Sequence, residues 1–99
     1  METRADAYLR ILHLGLLLIR EEARAGNARL CEIEADHLHN LPTLLHEPND
    51  ARHQYYIHEE RSLYLHRLIE LNDPECTAQR KRLYEEPWKV LTDLATDGE

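Results

Sequence analysis

The stretch Tyr8-Leu9-Arg10-Ile11-Leu12-His13-Leu14-Gly15-Leu16-Leu17-Leu18-Ile19 decides the fold class. No alternation of β-branched residues runs through it, so a strand is not needed. At helical spacing, Tyr8, Leu9, Leu12, Leu16 and Ile19 gather on one side, and Ala7, Ile11, Leu14 and Leu18 widen it. The apolar arc spans roughly 220°, far more than the stripe of about 100° that one packed side requires. Arg10, His13, Arg20, Glu21 and Arg24 share the remaining, wet side. Gly15 falls near the middle of the arc, where glycine costs a helix about 1 kcal/mol relative to alanine. The expectation is a second helix crossing closely at that point.

The rest of the chain divides where glycine and proline allow it. Gly26-Asn27 reads as a helix end followed by the cap of the next helix. His46-Glu47-Pro48-Asn49-Asp50 reads as a turn. At Asn72-Asp73-Pro74-Glu75, Asp73 is placed to cap, Pro74 to occupy the first helical position, and Glu75 to face the positive end of the dipole. The pattern predicts an all-α, single-domain, four-helix antiparallel up-down-up-down bundle with helices near residues 4–25, 28–46, 50–72 and 74–95. Pro42 is expected to break or kink the second helix and Pro87 to kink the fourth. Residues 96–99 are expected to fray.

Leu30, Ile33, Leu38, Leu41, Leu44 and Leu45 define the inward side of the second helix, and Glu34 and His37 fall inside that stripe. In the fourth helix, Cys76, Leu83, Pro87, Val90, Leu91 and Leu94 form the stripe, with Tyr84 and Trp88 flanking it and Arg80 in its middle. The third helix carries Ile57, Tyr64, Leu68 and Leu71 on one line, while Tyr56, Leu63, Leu65 and Ile69 spread apolar surface further round. Together with Leu17 of the first helix, those last four are candidates for an interface.

Composition bounds the function. Ninety-nine residues suit one domain, and the charge of −7 opposes binding to nucleic acid, which Lys and Arg dominate. The longest apolar run falls far short of the roughly 20 residues that cross a bilayer, so no membrane role is expected. The first residues lack the pattern of a signal peptide, which makes a cytoplasmic location the expectation. Cys31 and Cys76 fall on apolar helical faces and are read as small, reduced core residues. The single serine, Ser62, has no nucleophile elbow around it, and glycine is too scarce for a phosphate-cradling loop, so no enzyme and no cofactor are expected.

Seven histidines are the compositional anomaly. Glu34-Ala35-Asp36-His37 matches the Glu-x-x-His spacing of di-iron bundles, in which residues three apart reach one ion, yet only one copy is present. A carboxylate on an inward stripe needs a partner, since an unpaired buried charge costs several kcal/mol. The leading expectation is a buried polar network of Glu34 with His37 or with Arg80; the alternative is a metal or small-ligand site on Glu34 and His37. His66, Glu70 and Glu59 share a polar face and are read as solvated, as are His13, His39 and His46. His53 and His58 are placed at or near apolar stripes. The function that follows is a non-catalytic protein-interaction module whose partner is a second copy, as a homodimer, or another protein.

Overall fold

The computed structural model describes residues 2–43 and 51–96. It contains four helices: α1 (Arg4–Arg24), α2 (Ala28–Thr43), α3 (Ala51–Ile69) and α4 (Pro74–Thr96), with no strand among the described residues. The molecule measures 41 × 21 × 20 Å. A 23-residue helix such as α4 is about 35 Å long, so the long dimension is little more than one helix and the four lie side by side. Their order around the bundle is α1–α2–α3–α4, with α4 closing against α1.

Local chemistry sets the ends. Thr3 caps α1: its side chain accepts from the Asp6 N–H while the Asp6 carboxylate accepts from the Thr3 N–H, a capping box that the sequence reading missed. At the other end Gly26 adopts φ +79°, and the N–H groups of Gly26 and Asn27 return to the carbonyls of Ala23 and Glu22, a Schellman closure. Helix α3 stops at Ile69 rather than at residue 72. Asn72 takes φ +58°, and Leu71 and Asn72 donate back to Leu68 and Ile69, tightening the end into a turn. Asp73 then caps α4 as read, its carboxylate accepting from the Cys76 N–H at 3.2 Å. Helix α2 continues past Asn40 through Pro42 to Thr43, and α4 runs unbroken through Pro87. Leu44, Leu45, His46 and the end of the chain, 97–99, lie outside the described residues.

The core comprises Ala7, Tyr8, Ile11 and Leu18 of α1, Ile33, Leu38 and Leu41 of α2, Ile57, Tyr64 and Leu68 of α3, and Tyr84, Trp88 and Leu91 of α4. Two centres of the sequence reading are corrected by it. On α1 the buried line runs Tyr8, Ile11, Gly15, Leu18, so Leu9 and Leu16 are 61% and 54% exposed. An arc that wide can be rotated either way without losing its apolar character, and packing chose the Ile11 side. On α4 Tyr84 and Trp88 are the heart of the stripe rather than its flank, and Leu83 faces outward.

Gly15 does mark a close approach. A Cβ built on it meets the Cγ and Cδ1 atoms of buried Leu38 at 2.7 Å, against the 3.5–4.0 Å or so of an ordinary carbon contact. Gly15→Ala is therefore expected to destabilise the protein by about 1 kcal/mol, the overpacking outweighing the gain in helix propensity. In a Leu38→Ala background the sign reverses, because the obstructing atoms are gone. Urea unfolding of the two pairs checks this; stabilisation by Gly15→Ala in the otherwise native chain would show that the crossing is loose.

Cys31 and Cys76 are free and half-buried; the Cys31 thiol donates to the Ile19 carbonyl at 3.5 Å. Among the described residues no helix is long and apolar enough to cross a membrane.

Candidate functional site: a polar network inside the bundle

Glu34 and His37 sit one turn apart on the inward face of α2, and both are completely buried. The structure gives them different partners. The Glu34 carboxylate accepts hydrogen bonds from the hydroxyls of Tyr64 on α3 and of Tyr84 on α4, the latter at 2.7 Å. Arg80, also buried, places its Nε 3.6 Å from Glu34 Oε2, beyond hydrogen-bond length, so that attraction is ionic. The guanidinium also reaches Glu22 of α1 at 3.3 Å and donates to Gln79 at 3.1 Å. The expected Glu34–Arg80 pair is thus present, with two tyrosines supplying the hydrogen bonds.

His37 does not use Glu34 as its hydrogen-bond partner. Its Nδ1 lies 2.9 Å from Glu60 Oε2, and its Nε2 accepts from the Trp88 indole at 3.2 Å. Indole is only a donor, which fixes the tautomer: Nε2 carries the lone pair and Nδ1 the proton, donated to Glu60. Asn40 donates to the second oxygen of Glu60 at 2.9 Å. The rings pack as closely as the polar atoms. His37 stacks on Tyr64 at 4.2 Å between centroids, Tyr84 stacks on Trp88 at 5.1 Å, and the Arg61 guanidinium lies 5.3 Å from the Trp88 ring centre.

Burial pushes the Glu34 carboxyl above the usual carboxylate range, while the two hydroxyls and Arg80 pull it the other way. Burial also raises the Tyr64 and Tyr84 phenols far above their ordinary value, and the neighbouring Glu34 charge adds to the rise. On the outer side of Arg80, an open cavity of about 690 Å³ is lined by Glu22, Asn27, Asp73, Glu75 and Arg82 among others. Its charges are mixed, so it selects no single sign of ligand.

Glu60 and the aromatic triad were missed as members of this site. Glu60 had a signal: it stands three residues after Ile57 and four before Tyr64, on the same inward line. His58, placed near an apolar stripe, is exposed instead, because the buried line passes through Ile57 and Tyr64 on the other side of the helix. The side chain of His53 lies outside the described residues. His13, His39 and Glu59 are exposed, and His66 pairs with Glu70 at 3.0 Å in solvent. Of the interface candidates, Tyr56, Leu63 and Ile69 are exposed, whereas Leu17 and Leu65 are half-buried and Leu65 packs on the core.

Both nitrogens of His37 and both oxygens of Glu34 and Glu60 are engaged within the protein, whereas Arg80 Nε is buried without a hydrogen-bond partner. Among the described residues no three His, Cys, Asp or Glu side chains group as a metal-ligating set. No family model matches the chain, and no curated protein or solved structure is significantly similar to it.

Proposed function

We propose that this chain is a non-catalytic helical interaction module that associates with itself. The observation carrying the reading is the set of large apolar side chains left outside the bundle: Leu9 and Leu16 on α1, and Tyr56, Leu63 and Ile69 on α3. Single exposed leucines are ordinary, but paired ones at seven-residue spacing put an apolar line along one helix face. Leu9 and Leu16 have that spacing on α1, as Tyr56 and Leu63 have on α3. The interior supports the same reading from the opposite direction. Most of its polar groups, Arg80 Nε excepted, are engaged with one another across α2, α3 and α4, with Glu22 reaching in from α1, so the surface left for a partner is the outer one.

Sedimentation velocity across the micromolar range tests this. The expected result is a concentration-dependent species of twice the chain mass. A single monomeric species at every concentration defeats the proposal.

A further inference from the structure

We infer that the self-associating surface is the outer face of α1, paired with the α1 of a second copy running in the opposite direction about an axis at His13. This rests on the self-association proposed above and names its contact. The residues Asp6, Leu9, His13, Leu16 and Arg20 recur at intervals of three and four, the spacing of a coiled-coil seam, and every one of them is exposed. The seam is self-complementary. Set against its own reverse, Leu9 meets Leu16, Leu16 meets Leu9, His13 meets His13, and Asp6 meets Arg20 at both ends. A two-fold contact needs that property, since each residue must suit the one its image presents.

The alternative faces lack it. The α3 line of Tyr56 and Leu63 carries the exposed Glu59 between its apolar residues, so a two-fold contact there would cover two carboxylates with no base beside them in the groove. Nor is the basic end of the α1 seam committed elsewhere: among the described residues Arg20 takes part in no ion pair, while Arg10, on another face, is held by Glu2 and Glu86. In a chain of net charge −7, an apolar line with acid at one end and base at the other is the surface on which two copies attract rather than repel.

Charge exchange on the full-length chain tests the pairing, read by sedimentation. In a homodimer of Asp6→Lys an ammonium faces Arg20 at both ends, and in one of Arg20→Glu a carboxylate faces Asp6 at both ends. Each variant alone is expected to dimerise about tenfold more weakly than the native chain, and an equimolar mixture to recover native affinity, because both ends then pair correctly. Asp6 also caps α1, so a second measurement avoids it. His13→Cys, at the axis, is expected to form a disulfide-linked dimer under mild oxidant far faster than Arg29→Cys on α2. If the native chain dimerises and both charge variants do so equally well, the interface lies elsewhere and only this inference fails. Loss in both variants without recovery in the mixture, or equal cross-linking at positions 13 and 29, overturns the reversed register. A native chain that never dimerises removes the self-association reading itself.

Discussion

Glu34→Ala is expected to lower the stability of the protein by about 3 kcal/mol, while Glu59→Ala changes it by less than about 0.5 kcal/mol. The two residues are the same chemical group on neighbouring helices, and the difference is entirely in what they touch. Removing Glu34 leaves the Tyr64 and Tyr84 hydroxyls without an acceptor in a region water does not reach, and leaves Arg80 with only Glu22 as an ionic partner. Each stranded donor costs its full desolvation, about 1–3 kcal/mol, so the loss exceeds that of one ordinary hydrogen bond. For a domain of this size the corresponding fall in melting temperature is about 12 °C or more. Glu34→Gln is expected to fall between. Its oxygen still accepts one tyrosine, and its amide faces the other, which must turn its own hydrogen away. The pH dependence follows from the raised carboxyl of Glu34. The folded chain holds that proton more tightly than the unfolded chain does. The resulting stabilisation is complete below the ordinary carboxylate range and drains as pH rises through the elevated value. Glu34→Gln removes this titration, so the stability of the native chain relative to the variant is expected to decline with rising pH in that window. Urea melts at several pH values check all three variants; equal effects of Glu34→Ala and Glu59→Ala would mean that the carboxylate is not held as described.

The helices were legible because their boundaries are written in local chemistry. Gly26 and Asp73-Pro74 each act within a few residues of themselves, so reading neighbours in sequence is enough. Glu34, His37 and Arg80 were legible for a related reason: each interrupts an apolar stripe, and a charged group in that position must be buried with company. Beyond the Glu34–Arg80 pair, the company itself was not. Tyr64, Tyr84 and Trp88 read as bulk for the core, and their hydroxyls and indole acquire partners only when three helices are brought to a particular rotation and height. A local reading pairs Glu34 with His37, and it fails because α3 and α4 offer each residue better-placed partners: two hydroxyls for Glu34, a carboxylate and an indole for His37. The rotation of α1 was equally out of reach. Nine apolar positions fit its wide arc, and the choice of Ile11 over Leu9 as its centre depends on Leu38 lying over Gly15, a contact made across two helices.

The three buried tyrosines are expected to make the protein unfold in alkali in a recognisable way. Burial raises the phenols of Tyr8, Tyr64 and Tyr84, and the Glu34 charge raises the last two further. All three therefore keep their protons in the folded chain at a pH where the unfolded chain, with phenols near the ordinary value of about 10, releases them. The sign is fixed by that difference. The stabilisation is whole below the ordinary phenol pKa and diminishes as pH rises toward the elevated folded values. Three such protons drain about 4 kcal/mol per pH unit, and a domain of this kind has a total stability of about 5–15 kcal/mol. A drain of that size is comparable with the whole stability within a few pH units, so ionisation of Tyr64 and Tyr84 is expected to be coupled to unfolding. Tyrosinate absorbance from these residues is expected to appear in one cooperative step that coincides with loss of the helical circular-dichroism signal. Tyr64→Phe removes one proton from the linkage and is expected to reduce the slope of stability against pH by about a third above the ordinary phenol pKa. Ionisation of Tyr64 and Tyr84 while the helices persist would mean that water reaches Glu34, and the closed interior on which the exposed outer faces depend would have to be abandoned.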